Sequence, residues 1–208
     1  MRPERLVAVL GTDTGVGKTW AAADVLARLR TDGKTVAARK PVQSFAPCDD
    51  ETDADVLAAA TGESPEQVCP AHRWYAMAMA PPMAAGFLGT PPPTLDELVG
   101  ELDWGPEPVD VGLVETVGGP RSPLAADGDS AALAAAIEPD LAVLVAPAGL
   151  GVINSVRLCA PVVPGPLVVF LNHFDGGDLH DRNLRWLQVD GFDVVVDPLE
   201  LARRVAGS

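Results

Sequence analysis

Short apolar runs alternate along the chain with longer segments in which apolar residues recur every three or four positions. The runs are rich in β-branched residues and predict six strands, at 5–11, 34–41, 109–116, 140–147, 165–172 and 192–197. The longer segments predict helices between them, at 18–30, 53–62, 81–87, 94–102, 128–137 and 151–160. Nearly all-apolar strands separated by helices indicate an α/β protein, with a mostly parallel sheet flanked by helices on both faces.

The length of the chain favours one domain over residues 1–208, because domains usually have about 100–200 residues. Hydrophobic residues make up 48% of the sequence, which is enough for an ordinary buried core. No fixed-period repeat and no long linker divides the chain. In open parallel sheets, ligands bind beyond the carboxyl ends of the strands, so polar residues at those ends are the candidates for a site.

Charge and cysteine content argue against several classes of function. The formal net charge of −14 would repel nucleic acid and anionic lipid. The three cysteines, Cys48, Cys69 and Cys159, are far apart and include no CxxC pair, which argues against a disulfide framework or a zinc site. No signal sequence opens the chain, and no apolar stretch reaches the ~20 residues of a membrane helix. We therefore expect a cytoplasmic protein that binds neither nucleic acid nor membrane.

The segment GTDTGVGKT, residues 11–19, joins the first predicted strand to the first predicted helix. This is the context of a phosphate-binding P-loop, in which small residues let backbone N–H groups turn inward at a helix N-terminus. Lys18 would reach the β- and γ-phosphates, and the Thr19 hydroxyl would ligate Mg²⁺. Thr12 stands where the GxxxxGK[ST] pattern has its first glycine, and Gly11 precedes it. The alternative is a glycine turn that binds nothing, but GKT at a strand–helix junction favours phosphate binding.

The loop resembles that of the dethiobiotin synthetase family, whose usual form is GTDTxVGKT. Further segments resemble that family in the same order, from about residue 5 to 175. They are KPVQS (40–44, similar to KPVxSG), TDA (52–54, SDA), MAPPMAA (79–85, an SPHxAA-type substrate helix), VETVGG (114–119, VEGAGG), GLGVIN (149–154, LGxIN) and LNHFD (171–175, a strand ending in Asn). The last thirty residues match poorly.

The resemblance implies an ATP- and Mg²⁺-dependent cyclo-ligase that closes a ureido ring on 7,8-diaminononanoate (7,8-diaminopelargonate) with CO₂. In that family a carbamate forms on one amine and attacks the γ-phosphate of ATP. The other amine then displaces phosphate from the mixed anhydride, giving dethiobiotin. The resemblance also implies a homodimer, in which a helix start from the neighbouring subunit meets the substrate carboxylate.

The resemblance assigns roles to residues of this chain. The catalytic set would be Lys18, Lys40 and Thr14. The nucleotide would be bound by Thr14, Gly15, Val16, Gly17, Lys18, Thr19, Trp20 and Asn172, the last through its amide to adenine. The diamine or its carbamate would be bound by Thr14, Ser44, Gly118, Gly119, Leu150 and Asn154. Magnesium would be held by Thr19, Asp53 and Glu115.

These roles agree with the chemistry of phosphoryl transfer, which depends mainly on positioning and on well-placed cations. Mg²⁺ prefers hard oxygen ligands and keeps several waters, so a hydroxyl and two carboxylates suffice. Four of these assignments have a structural alternative. Glu115 would then be a helix cap, Asp53 a solvated helix start within the acidic cluster 49–55, Lys40 a surface residue, and Asn172 a turn residue after its strand.

Several positions differ from the family pattern. Thr116 and Val117 replace Gly and Ala of VEGAGG, and a branched Thr is stiffer than Gly. Pro82 stands in place of the usual His, Gly15 in place of a frequent Glu, and Ser155 where His often follows Asn. These differences leave nucleotide binding unaffected and bear on the identity of the acceptor.

Three other functions remain open. An amide-forming ligase for a cobyrinate-like acid would usually need a glutaminase domain, for which this chain has no room. A partitioning or targeting ATPase would carry a second lysine where this chain has Asp13. A pseudoenzyme would bind nucleotide without acting on the diamine.

Overall fold

A computed structural model describes residues 1–207. Six strands form one parallel sheet: β1 (Arg5–Gly11), β2 (Val36–Arg39), β5 (Val111–Glu115), β6 (Leu141–Pro147), β7 (Leu167–Asn172) and β8 (Val194–Val195). Their order across the sheet is β2-β5-β1-β6-β7-β8. Two short strands, β3 (Gln43–Ser44) and β4 (Trp74–Tyr75), pair in parallel outside this sheet. The predicted fold class is confirmed.

The α-helices of the described residues are α1 (Lys18–Thr31), α2 (Asp53–Thr61), α3 (Pro65–Val68), α4 (Pro81–Phe87), α5 (Leu95–Gly100), α6 (Ser130–Ile137), α7 (Val152–Cys159), α8 (Asp178–Val189) and α9 (Pro198–Ala206). Side-chain caps start several of them, for example Thr52 before α2 and Asp129 before α6. By contrast, α1 and α7 follow the left-handed glycines Gly17 and Gly151 and have no side-chain cap. The first N–H groups of these two helices are therefore not taken by a capping side chain.

The sheet divides the hydrophobic core into two parts, which explains why its strands are apolar on both sides. Helices α1, α2 and α9 cover one face, with buried Val25, Leu57 and Leu201. Helices α5 to α8 cover the other face, with buried Leu98, Leu133, Val156 and Leu187. Along β1, Val7 and Val9 face the first part of the core, whereas Leu6, Ala8 and Leu10 face the second.

The structure contains elements that the hydrophobic pattern did not predict. The β3–β4 pair has two residues in each strand, too few for a visible alternation. Helix α8 is mostly polar, with only Asn183 and Leu187 buried, and α9 lies in the segment where the family resemblance was poor. Within residues 1–207, no helix is both long enough and apolar enough to cross a membrane.

Candidate functional site

A cavity of about 660 Å³ opens at the carboxyl ends of β1, β2 and β5, beside the start of α1. Parallel strands bring their carboxyl ends to one edge of the sheet, so residues distant in sequence meet there. Ten of the residues predicted from the sequence line this cavity: Thr14, Gly15, Gly17, Lys18, Thr19, Lys40, Ser44, Asp53, Glu115 and Gly118.

The loop between β1 and α1 needs glycine where its backbone is most constrained. Gly15 and Gly17 have φ angles of 73° and 91°, in the left-handed region that glycine adopts most readily. A Cβ at Gly17 would also clash with Asn172 Nδ2. A Cβ at Gly11 would lie 2.7 Å from Val16 Cγ2, so glycine is required at residue 11 although the pattern expects it at residue 12.

Lys18 lies at the start of α1 and is buried, with 7% of its surface exposed. Its Nζ donates a hydrogen bond to the backbone oxygen of Asp13, at 3.1 Å. Burial, and the nearby ammonium of Lys40, lower the pKa of Lys18. A desolvated cation beside a helix N-terminus is well placed to meet a phosphate group.

Lys40 directly follows β2 and lies between two carboxylates, Glu115 at the end of β5 and Asp53 at the start of α2. Its Nζ is 2.6 Å from Asp53 Oδ2 and 2.6 Å from Glu115 Oε1, and it also donates to the oxygen of Thr116 at 3.2 Å. Burial alone would lower the pKa of Lys40, but Glu115 and Asp53 outweigh burial and raise that pKa. Lys40 therefore carries its charge although it is buried.

The two carboxylates differ in their surroundings. Glu115 is fully buried, and burial raises its pKa. The Asp53 side chain is 42% exposed. Burial of its carboxyl group works to raise the Asp53 pKa, but the ammonium of Lys40 outweighs that and lowers it.

The oxygen atoms around Thr19 fit a small divalent cation. Thr19 Oγ1 lies 2.8 Å from Asp53 Oδ1 and 2.9 Å from Glu115 Oε1. Glu115 Oε2 is buried and has no hydrogen-bond partner among residues 1–207. These hard oxygens are of the type that Mg²⁺ prefers. In the same part of the chain no group of three or more His, Cys, Asp and Glu side chains could hold a metal, so a cation here would depend on two carboxylates and the hydroxyl.

Part of the cavity wall is apolar. It is formed by Ala78, Met79, Ala80, Pro81, Val117 and Pro123. Ser44 Oγ donates to the backbone oxygen of Met79 at 2.6 Å and so joins β3 to this wall. Ser122, which the sequence did not single out, lines the cavity, and its Oγ accepts from the N–H of Gly119 at 2.8 Å. Such a wall suits an alkyl chain.

Thr116, which differs from the family pattern, does not enter the cavity. Its side chain is fully buried, and its Oγ1 donates to the backbone oxygen of Val9 at 3.2 Å. Its backbone N–H donates to the same oxygen at 3.0 Å. The hydroxyl therefore joins the end of β5 to β1, whereas the residues on either side of Thr116, Glu115 and Val117, line the cavity.

Six residues predicted to bind nucleotide or substrate lie outside this cavity: Val16, Trp20, Gly119, Leu150, Asn154 and Asn172. Asn172 is buried behind the loop, where its Nδ2 donates to the oxygen of Val16 at 3.0 Å and its Oδ1 accepts from the N–H of His173. Trp20 is half-exposed on α1. Leu150, which is 92% exposed, and Asn154 lie at the exposed start of α7. Their roles stay predictions.

The parallel sheet, with a glycine-rich loop and a Lys–Thr pair at the junction of β1 and α1, defines a P-loop nucleotide-binding protein. Residues 5–163 match the AAA_26 family model, described as an AAA domain. The chain is 39% identical over 162 residues to the ATP-dependent dethiobiotin synthetase BioD of Chromohalobacter salexigens, covering 74% of this chain and 67% of that one. It is 33% identical over 207 residues to the enzyme of the same name from Haloferax mediterranei, covering 94% and 85%. The chain belongs to the dethiobiotin synthetase family, as its motifs predicted.

Comparison with solved structures supports the fold alone, because sequence identity is low. A plasmid partition protein from Borrelia burgdorferi superposes with a TM-score of 0.56 at 14% identity, covering 99% of this chain and 97% of that one. The cell division protein FtsY from Thermotoga maritima gives a TM-score of 0.52 at 14% identity, covering 100% and 69%.

Proposed function

We propose that this protein uses ATP, Mg²⁺ and CO₂ to convert 7,8-diaminononanoate into dethiobiotin, ADP and phosphate. Its relatives from two organisms are named for dethiobiotin synthesis. The observation that carries the proposal is the meeting of Lys18, Lys40, Thr19 and two carboxylates in one cavity that also has apolar wall residues. The cations suit the triphosphate and the anionic carbamate, and the apolar wall residues suit the alkyl chain of the diamine.

In the proposed reaction, an oxygen of the substrate carbamate attacks the γ-phosphorus of ATP, and the bond to the β,γ-bridging oxygen breaks. The second amine then attacks the carbamate carbon, phosphate leaves, and the amine loses a proton as the ring closes. Negative charge develops on the transferred group, so this step is accelerated by fixed positive charges. Lys18 approaches the phosphates from the loop, and Lys40 approaches the carbamate side from the end of β2.

Magnesium would be held by Thr19, Asp53 and Glu115 and would neutralise charge on the phosphates. The protein residues do the remaining work. The loop positions the phosphates through backbone N–H groups, and the wall formed by Met79, Pro81 and Val117 excludes water from the alkyl chain. Ser44 keeps its oxygen lone pairs available toward the cavity, because its hydroxyl proton is donated to Met79.

The proposal includes a homodimer. Leu150 and Asn154, assigned by the family resemblance to the substrate, are exposed and do not line the cavity of their own chain. A second copy would give both residues a role, by bringing the start of α7 to the neighbouring cavity. Light scattering tests this directly, and Leu150→Glu should reduce the dimer population together with activity. A monomeric, fully active protein would contradict this part of the proposal.

The decisive experiment is incubation of the purified protein with 7,8-diaminononanoate, bicarbonate and Mg-ATP. We expect phosphate release that requires the diamine, together with a ureido product detected by mass spectrometry. Release of phosphate without the diamine would instead favour a nucleotide-switched ATPase. Nucleotide binding with no phosphate release under any of these conditions would favour a pseudoenzyme.

A further inference from the structure

We propose that Gln43 is a positioning residue that fixes Asp53 in the orientation needed to hold a divalent cation. This inference rests on the proposed function, which gives Asp53 the role of a metal ligand. Gln43 lies on β3, three residues after Lys40, and only 1% of its surface is exposed. It occupies the variable position of the KPVxSG pattern, and the family resemblance gave it no role.

The Gln43 amide contacts the residues on both sides of Asp53. Its Oε1 accepts the backbone N–H of Ala54 at 3.0 Å, and its Nε2 donates to Thr52 Oγ1 at 3.3 Å. A primary amide suits this arrangement because it donates and accepts hydrogen bonds at the same time. The first turn of α2 is thereby tied to β3 through one buried side chain.

Thr52 transmits this constraint into the helix. It is the N-cap of α2, and its Oγ1 donates to Asp55 Oδ2 at 2.7 Å. The same carboxylate accepts the N–H of Thr52 at 2.8 Å, and Thr52 Oγ1 accepts the N–H of Asp55 at 3.3 Å, which together form a capping box. Gln43 therefore joins an already ordered helix start and sets its position relative to the sheet.

Asp53 needs such support because it lies beside a second carboxylate. Asp53 and Glu115 both contact Thr19 and Lys40, and like charges at this range repel each other. Glu115 is fully enclosed at the end of β5, whereas the Asp53 side chain is 42% exposed and is therefore less confined by packing. The neutral contacts of Gln43 hold the helix start without adding charge to the cluster.

Lys40 alone does not secure this geometry in the proposed reaction, because its ammonium is also assigned to the carbamate. While Lys40 interacts with substrate, its attraction for Asp53 is shared. Gln43 has no such second task, since both its polar groups are engaged with α2. Groups that orient metal ligands in this way usually change metal affinity about 10- to 100-fold when removed.

The test is Gln43→Leu, which removes both hydrogen bonds at nearly constant volume. Mn²⁺ binding is measured by electron paramagnetic resonance in the presence of a non-hydrolysable ATP analogue. We expect about 10-fold weaker Mn²⁺ binding and a similar rise in the Mg²⁺ concentration for half-maximal activity. Thr61→Val is the matched control, because it removes a buried hydrogen bond at the far end of the same helix, from Thr61 Oγ1 to Leu57 O. Its Mn²⁺ affinity should equal that of the wild type.

Asp53→Asn separates failure of this inference from failure of the proposed metal role. If Asp53→Asn binds Mn²⁺ as well as the wild type, the metal assignment fails and the role of Gln43 falls with it. If Asp53→Asn is weakened but folded Gln43→Leu keeps wild-type affinity, only the positioning role is overturned, even if its melting temperature drops. Should Gln43→Leu not fold, Gln43→Met is measured instead. We expect the same loss of Mn²⁺ affinity, and wild-type Mn²⁺ affinity in Gln43→Met would overturn the positioning role.

Discussion

Lys40 Nζ lies 2.6 Å from Glu115 Oε1, although 75 positions separate the two residues in the chain. They meet because β2 and β5 are adjacent parallel strands in which Arg39 pairs with Val114. Lys40 directly follows β2, and Glu115 is the last residue of β5. Both side chains are buried, at 2% and 0% exposure. The pair therefore places a buried ammonium–carboxylate contact at the edge of the cavity, where the sheet topology fixes its position.

Replacing Lys40 by Met should strongly reduce the synthetase reaction. The cavity would lose the ammonium on the carbamate side, and removal of one well-placed electrostatic group typically costs about 10²- to 10³-fold in kcat. The measurement is diamine-dependent phosphate release under saturating Mg-ATP. Arg2→Met, at an exposed position near Asp140, is the control and should leave kcat unchanged. Wild-type turnover in Lys40→Met would exclude a direct role in catalysis.

The same variant should show stability that depends on pH in a defined direction. Without Lys40, burial raises the pKa of Glu115 with only the weaker effect of the Lys18 ammonium to oppose it. An acid with a higher pKa in the folded state binds more protons when folded, so stability is lost as pH rises from the unfolded pKa, about 4.3, through the folded pKa. The melting temperature of Lys40→Met, relative to that of the wild type, should therefore be lower at pH 8 than at pH 5. Lys40→Met/Glu115→Gln should lose this dependence.

Lys18→Ala should abolish turnover whatever the acceptor is, because it removes the cation nearest the loop. We expect a fall in phosphate release of at least about 10²-fold. Lys34→Ala removes an exposed lysine beyond the end of α1 and should behave like the wild type. This comparison tests the loop and not the substrate. Phosphate release by Lys18→Ala at the wild-type rate would contradict the phosphate-binding role of the loop.

Local motifs made much of this site predictable. The loop, β1 and α1 are contiguous, so the spacing of Gly17, Lys18 and Thr19 was sufficient to indicate them. Lys40 and Glu115 could be placed near the loop because parallel strands end at the same edge of a sheet. Their contact distances and the exposure of Asp53 depend on packing that no spacing reveals.

Other features depend on contacts between distant segments. The β3–β4 pair joins Gln43 to Trp74, and neither two-residue strand has a pattern of its own. The contact of Asn172 with Val16 spans 156 positions, so the sequence showed only an asparagine at the end of a strand. Ser122 lines the cavity through a turn that depends on the N–H of Gly119, and its position in the sequence gave no signal.

Gly17→Ala should destabilise the protein and weaken nucleotide binding. Its φ of 91° is strained for any residue with a Cβ, and that atom would also clash with the Asn172 amide. Strain of this kind costs about 1–3 kcal/mol, and displacement of the loop would move its N–H groups. Gly33→Ala, with φ of 84° and open space around it, isolates the strain from the clash. Urea denaturation should give a larger loss of unfolding free energy for Gly17→Ala than for Gly33→Ala, and nucleotide titration should show weaker binding for Gly17→Ala alone. Equal stability and equal nucleotide affinity in the two variants would contradict the clash.

Thr116→Val tests whether the Thr116 hydroxyl stabilises the sheet or contacts the substrate. The substitution removes the hydrogen bond from Thr116 Oγ1 to Val9 O and keeps a branched side chain of similar volume. Loss of one such bond costs about 1 kcal/mol, which should appear in the free energy of unfolding. Because the Thr116 side chain is buried against β1 and does not line the cavity, KM for the diamine should not change. A several-fold rise in that KM with unchanged stability would mean that the hydroxyl of residue 116 acts on the substrate and not on the sheet.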